Sequence, residues 1–368
     1  MNNSTITEED ADMPWSGTER AVIDAAYVLV ITLALVANAL ICFLVMKKRV
    51  RRSPFNLLLA NLSISDFLAA LTLGPYIFIK LKGIDASQAT RDLVCSFTIG
   101  LTPFFICTTV TVVFMTLISV HRYISIRYPL KWAWHIGVRG VKITVGFTWT
   151  VSTVVLLPNF FSFWHDNDYG ICYRSWPDGF NGQIYATFTF VFGLLLPLLT
   201  FTFCFVFTLK ILRTQVADIG MTNNYASRSR RKAVRLLGAL VGTYVICWGP
   251  FYIYWLLSRS TNAFTSDWRG NYARMRVIRI VVLFASLNTV LDPLLYGLMS
   301  DDFKRAIHLL VCHRKKKVKR NLPNESLNTT RPRTLTNSSL ANGSNECWQT
   351  LKEETDVRGN RTITSGVS

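Results

Sequence analysis

Charge is what this chain of 368 residues withholds from its longest segments. Seven apolar runs, roughly residues 25 to 46, 53 to 79, 96 to 120, 143 to 164, 180 to 209, 236 to 258 and 280 to 300, hold no lysine, arginine or glutamate and just two aspartates, Asp66 and Asp292. Each run can cross a hydrocarbon core of about 30 Å as a helix, so the deficit predicts an all-α membrane protein, a bundle of seven transmembrane helices. Other absences narrow the chemistry. There is no Gly-rich phosphate loop, CxxC pair, HExxH motif or internal repeat, and with them go the usual marks of nucleotide hydrolysis, thiol exchange and zinc proteolysis. The five histidines (121, 135, 165, 308 and 313) are scattered over loops and helix ends, not clustered as the ligands of a membrane metal hydrolase would be. No apolar h-region precedes residue 20, so the first run is expected to act as its own insertion signal.

What charge there is lies between the runs, and on one side. The net +18 could suggest nucleic acid, but its placement argues for a membrane and no nucleic-acid partner. Basic residues gather at Lys47, Lys48, Arg49, Arg51 and Arg52, at Arg127, Lys131, Arg139 and Lys142, at Lys210, Arg213, Arg228, Arg230, Arg231, Lys232 and Arg235, and from Arg314 to Arg320. These follow the first, third, fifth and seventh runs, as the positive-inside rule requires of cytoplasmic loops. The N-terminal segment carries Glu8, Glu9, Asp10, Asp12 and Glu19 and belongs outside, which leaves the C-terminus in the cytoplasm. Glycosylation sequons at Asn2 and Asn3 agree with that orientation. Sequons at Asn324, Asn328, Asn337, Asn342 and Asn360 oppose it, but a Ser/Thr/Asn-rich tail generates sequons by chance, whereas four basic clusters on one side do not arise so.

The two acids matter because a charge at membrane depth costs at least ~2.5 kcal/mol even on mild insertion scales and is therefore a sign of function. Asp66 in the second run and Asp292 in the seventh predict a polar chamber inside the bundle. Two close carboxylates cannot both stay charged cheaply, so either a cation bridges them or one is protonated.

Cys42, Cys107, Cys204 and Cys247 fall inside apolar runs and read as small hydrophobes. Cys95 and Cys172 lie in outward segments, an oxidising setting where a disulfide between them is expected. Cys312, just past the seventh run, is a candidate for S-palmitoylation or an unmodified thiol. Residues Asp301 to Leu310 place Phe303, Ile307 and Leu310 at helical spacing, which predicts a short amphipathic helix 8 lying along the inner membrane surface. Beyond Lys319 the chain is poor in apolar residues and is expected to be disordered. Three divisions follow: an extracellular tail over residues 1–21, a seven-helix domain with helix 8 over 22–312, and a cytoplasmic tail over 313–368.

One landmark stands on each run. They are Asn38, Leu62-Ser63-Ile64-Ser65-Asp66, His121-Arg122-Tyr123, Trp149, Pro197, Cys247-Trp248-Gly249-Pro250 and Asp292-Pro293-Leu294-Leu295-Tyr296. In this order the chain, over roughly residues 22 to 312, resembles the rhodopsin-like family of G-protein-coupled receptors. The resemblance implies that Arg122 holds the resting bundle closed and meets the G protein when the inner end of the sixth helix swings outward. A planar, permanently charged guanidinium suits that exchange of acceptors. It also implies that Trp248 beside Pro250 is a rotamer-sensitive tryptophan beneath the ligand pocket, that Pro293 and Tyr296 take part in activation with Asp292, and that Asp66 with Asn38, Thr111 and Asn288 surrounds a sodium ion. Oxygen donors suit such a hard cation.

The chain departs from the family pattern at three points. His121 stands where an acid usually precedes the arginine, and no acid lies near Arg228 to Lys232, so appreciable ligand-independent signalling is expected. Asp292 replaces an asparagine. Phe205 occupies a position where a tyrosine often partners the seventh-helix tyrosine. The 27 positions between Cys95 and Arg122 are also slightly more than the family's usual spacing, which a bulge near Pro103 could absorb, leaving open whether Thr102 or Phe104 faces the ligand.

Two ligand classes are excluded. No acid lies between Cys95 and His121 to pair an amine, and no lysine between residues 280 and 300 could hold retinal as a Schiff base. Phe104, Phe251, Tyr252, Tyr254 and Trp255, with Arg276 and Arg279 and with Lys80 and Lys82 near the rim, suit a peptide or an anionic small molecule. The expectation is a plasma-membrane receptor, not an enzyme, that drives nucleotide exchange on a heterotrimeric G protein and offers its Ser/Thr-rich tail to arrestin after phosphorylation. A sodium- or proton-coupled transporter is the alternative, since paired acids also suit ion coupling, but it calls for repeats that are not evident.

Overall fold

Helices that are apolar on every side have no water-facing stripe, and such helices are stable where the solvent is lipid and each N–H must bond within its own segment. The structure, a computed structural model, describes residues 17–47, 53–78, 86–128, 137–167, 171–219, 225–260, 268–299, 303–304 and 306–307. The chain divides into two compact units, Met1–Phe303 and Lys304–Ser368. In the second unit Lys304, Ala306 and Ile307 alone are described, so the helix expected over 301–310 lies largely outside the described residues, as do Cys312, Asn2, Asn3, Lys80 and Lys82.

The first unit contains seven spans long and apolar enough to cross a membrane. They are built from α1 (Gly17–Met46), α2 (Pro54–Phe78), α3 (Gln88–Thr98) with α4 (Thr102–Arg127), α5 (Val138–Leu156), α6 (Gly182–Phe190) with α7 (Leu196–Ile219), α8 (Tyr225–Ser260) and α9 (Trp268–Met299). Around the bundle α1 packs on α2 and α9, α2 on α4, α4 on α5 and α7, α7 on α8, and α8 on α9. Large apolar side chains such as Leu33, Phe147, Val154, Leu199 and Phe203 point outward, a surface that lipid explains and water does not. The interior face is polar where the landmarks lie, with Asn38, Ser63, Ser65, Asp66, Thr111, Asn288 and Asp292 all buried.

Three runs depart from a plain helix. The third is broken: α3 ends at Thr98, Leu101 takes a left-handed conformation (φ 49°, ψ 29°), and α4 restarts at Thr102 with Pro103 in its first turn. The surplus between Cys95 and Arg122 is thus absorbed at residues 99–101, and Thr102 and Phe104 are both fully buried. Gly100 in this break is required by close approach, since a Cβ there would come within 2.7 Å of the Ser96 carbonyl and 2.8 Å of the Phe163 ring.

The fourth run does not stay helical to residue 164. Pro158 introduces a 3₁₀ turn over Leu157–Phe161, and Phe163–Asp166 is a strand, β1, paired antiparallel with β2 (Ile171–Arg174). This hairpin is tied to α3 by the Cys95–Cys172 disulfide, by the His165 N–H donating to Asp92 Oδ1 (2.7 Å) and by Gln88 Nε2 donating to the His165 carbonyl (3.0 Å).

In the fifth run a π-helical segment, Val191–Leu195, joins α6 to α7. Pro197 has no N–H to offer the carbonyl one turn back, at Gly193. The buried Tyr244 hydroxyl of α8 donates to that carbonyl instead.

Candidate functional site

The interior polar core is assembled from four helices. On α2, Asp66 is completely buried and its Oδ1 accepts from Thr111 Oγ1 of α4 (2.7 Å), whose oxygen lies within hydrogen-bond reach of the Ser65 hydroxyl (2.8 Å). On α9, Asn288 Nδ2 donates to Asp292 Oδ2 (2.8 Å), one helical turn along the same face. Asn38 on α1 donates through Nδ2 to the Thr289 carbonyl (2.9 Å), tying the first helix to the last. Both carboxylates are completely buried in this core.

This network is richer in acceptors than in donors. Asp66 Oδ2, Asp292 Oδ1, Asn288 Oδ1 and Asn38 Oδ1 are buried and make no hydrogen bond among the described residues. Buried acceptors are costly unless something positive or protic meets them. Four such oxygens on three adjoining helices, two of them carboxylate oxygens, fit a hard monovalent cation or a cluster of water, and their donor set suits sodium better than a thiophilic metal. Of the residues that the sequence nominated around Asp66, Thr111 bonds it directly, Asn288 bonds Asp292, and Asn38 bonds the Thr289 carbonyl.

Above this core lies an aromatic wall. Phe105 of α4 meets Phe251 of α8 (ring centroids 5.1 Å apart), Phe251 stacks with Trp255 (6.1 Å), and Trp248 sits edge-on to Phe251 (5.9 Å) with Tyr252 at 5.9 Å. Trp248 is 3% exposed, and its indole N–H finds no acceptor among the described residues. Phe104 turns into the bundle with no exposure, and its neighbour Phe105 takes the place on the wall expected of it.

Basic groups are placed differently from the expectation. Arg276 pairs with Glu19 (2.6 Å) and Arg279 with Asp24 (2.6 Å), both acids on the outer turns of α1. The Tyr27 hydroxyl donates to the Arg279 carbonyl (2.6 Å) beside them. These arginines clasp α9 to α1. Arg174 of β2 is the guanidinium that meets the aromatic wall, lying 4.7 Å from the Trp255 ring and 4.5 Å from that of Trp176, with Nη2 donating to Asn159 Oδ1 (2.9 Å).

At the inner end of α4, the Tyr123 ring packs on Phe203 (5.7 Å) and Phe207 (6.5 Å) of α7. The Arg122 guanidinium carbon lies 3.5 Å above the ring of Phe55 on α2, and the His121 ring is 5.9 Å from the same phenyl. Tyr296 is buried, with a hydroxyl that meets no partner among the described residues, while Phe205 lies toward Gly238 of α8.

Sequence reasoning missed Phe55, Phe105, Arg174, Asp24 and Tyr244. Asp24 alone left a trace, as an acid four residues after Arg20 at the mouth of the first run. The others act across helices, which periodicity does not report.

Comparison with known proteins agrees with this arrangement. A family model described as "7 transmembrane receptor (rhodopsin family)" matches residues 37–296. Mouse somatostatin receptor type 2 is 26% identical over 325 residues, covering 84% of this chain and 81% of that protein. Rat somatostatin receptor type 5 is 28% identical over 313 residues (81% and 80%), and a QRFP-like peptide receptor of Branchiostoma floridae is 26% identical over 293 residues (76% and 74%).

Proposed function

The chain belongs to the rhodopsin family of seven-transmembrane receptors, and from that premise we propose that it binds an extracellular peptide and drives nucleotide exchange on a heterotrimeric G protein. The observation that carries the ligand class is the wall of Phe105, Phe251 and Trp255 with Arg174 against it, facing an α4 that has no acid before His121. An amine would find no counter-ion there. A peptide offers aromatic side chains to the wall and a carboxylate or carbonyl to the guanidinium. The relatives named for somatostatin and for RF-amide peptides support this reading.

Signal transfer follows the packing. A ligand pressing on Phe251 and Trp255 acts on Trp248 one and two turns below, at the Pro250 kink, and on the acid core beneath it. A sodium ion held by Asp66, Asp292, Asn288 and Asn38 would supply positive charge to that core in the resting bundle. Its residues fit by their unpaired oxygens. On activation α9, with Pro293 and Tyr296, rearranges, and Arg122 then meets the G protein beside the basic inner segments. The N-terminus lies outside the plasma membrane, Asn2 and Asn3 carry glycans, and the C-terminal tail serves arrestin.

Cells expressing the chain with a promiscuous G protein, challenged with cyclic and amidated peptide libraries, test the reading. Peptide-dependent GTPγS binding in their membranes is the expected result. Sodium- or proton-driven uptake without any nucleotide exchange would replace it with a transporter.

A further inference from the structure

We propose that Phe55 is the resting clamp of Arg122: an aromatic face on α2 does for this arginine what a neighbouring carboxylate does elsewhere. The inference rests on the reading that Arg122 engages a G protein. The guanidinium carbon stands 3.5 Å from the Phe55 centroid, which is van der Waals contact of a flat cation on a π face. Phe55 is itself 8% exposed and Arg122 half-buried, so the ring is largely shielded from the water that weakens such contacts at open surfaces.

The ring is held in place by its own helix start. Ser53 accepts at Oγ from the Asn56 N–H (3.2 Å) and at its carbonyl from the Leu57 N–H (3.0 Å), and Pro54 fixes the first backbone angle of α2. Phe55 is therefore a rigid platform one residue into the helix, and the imidazole of His121 packs near the same ring. Position 121 has no carboxylate to offer, and the phenyl quadrupole presents a negative face to the guanidinium.

The contact and G-protein engagement exclude each other. An arginine held against the Phe55 ring on α2 has its guanidinium covered there, whereas an arginine inserted into a partner projects out of the inner mouth. Every increment of attraction between Arg122 and Phe55 consequently favours the uncoupled state by population shift. The ligand-independent signalling expected from His121 is accordingly set by how well the phenyl ring holds, and not by the missing acid alone.

The test uses the full chain in membranes without ligand. Phe55→Leu keeps an apolar side chain and removes the quadrupole. Phe55→Trp strengthens it. Phenylalanines carrying one, two or three ring fluorines at position 55 weaken the quadrupole stepwise with almost no change of shape, so folding is preserved. Two quantities are read: basal GTPγS exchange, and the distance between spin labels placed by Arg127→Cys on α4 and Arg231→Cys on α8. We expect Phe55→Leu to raise basal exchange by roughly tenfold, the effect of losing a shielded cation–π contact, and to lengthen the label distance. Exchange should climb with each added fluorine, and Phe55→Trp should match or fall below the wild type.

Basal exchange and distance unchanged, or lowered, in Phe55→Leu and across the fluorine series would overturn the clamp while leaving the receptor reading intact. A lengthened distance with no exchange in any variant would instead support the clamp and refute G-protein coupling.

Discussion

The two ion pairs between α1 and α9 look alike on distance and should differ sharply in worth. Both are 2.6 Å long, but the Arg279 and Asp24 side chains are 10% and 31% exposed, against 40% and 51% for Arg276 and Glu19. An exposed pair contributes about 0–1 kcal/mol, whereas removing one partner of a buried pair costs about 3–5 kcal/mol because a desolvated charge is stranded. The inner pair is also asymmetric. Without Arg279, Asp24 still has water and Arg20 Nε at 4.0 Å. Without Asp24, Arg279, at 10% exposure, is the less hydrated charge left behind, with the Tyr76 ring 5.5 Å from its guanidinium.

Asp24→Asn should therefore cost about 3 kcal/mol and Arg279→Gln about 1 kcal/mol, with Glu19→Gln near zero. At ~2–4 °C per kcal/mol the first two differ by about 4–8 °C in Tm. The double variant should recover part of the loss, with a coupling of about 1–3 kcal/mol. Thermal unfolding in detergent, read by a thiol-reactive dye that reaches the buried Cys107, Cys204 and Cys247 only on opening, gives these values. High salt, which shortens screening to ~3 Å at 1 M, should leave the Asp24 effect in place. If Arg279→Gln proves the more damaging, or Glu19→Gln matches Asp24→Asn, the burial argument is wrong.

Three further outcomes are expected. Sodium chloride should stabilise the protein over choline chloride at equal ionic strength, by ~1.4 kcal/mol at ten times Kd, and Asp66→Asn or Asp292→Asn should each abolish the difference; a gain that survives both variants would remove the ion from the core. Gly193→Ala would push a methyl into the Tyr252 hydroxyl and should cost about 1–3 kcal/mol by overpacking, most of it regained in the Gly193→Ala, Tyr252→Phe double variant; equal losses in single and double variants would refute the contact. His121→Asp sets a carboxylate beside Arg122 and should lower basal exchange about fivefold, the effect of ~1 kcal/mol of added attraction; equal exchange in both forms counts against it.

Much of the architecture is legible in composition, because lipid is a uniform solvent and a stretch of sequence must match it residue by residue. The seven spans and the burial of Asp66 and Asp292 follow from that demand. So does the disulfide, since Cys95 and Cys172 are the pair left in outward segments ahead of the tail. Hairpin β1–β2 was hidden because Phe163 and Trp164 are as apolar as the helix before them. The fate of Arg276 and Arg279 was hidden for another reason: charge content tells that a residue is basic and near a rim, not that α1 extends eight residues beyond its apolar run to bring Glu19 and Asp24 alongside. Phe55 under Arg122 is a pairing 67 positions apart in sequence, and nothing local marks it.

The non-helical joint at residues 99–101 sets the route by which outside events travel. Cys95, which anchors the hairpin, sits on α3, while Arg122 sits on α4, and Leu101 with its left-handed backbone lies between them. The outer hairpin and the inner arginine are thus carried by separate helical segments that meet at one non-helical joint. Below the joint, α4 meets α8 through Phe105 and Phe251, and from the hairpin Arg174 reaches Trp255 of the same helix, so α8 is touched from both sides of the break.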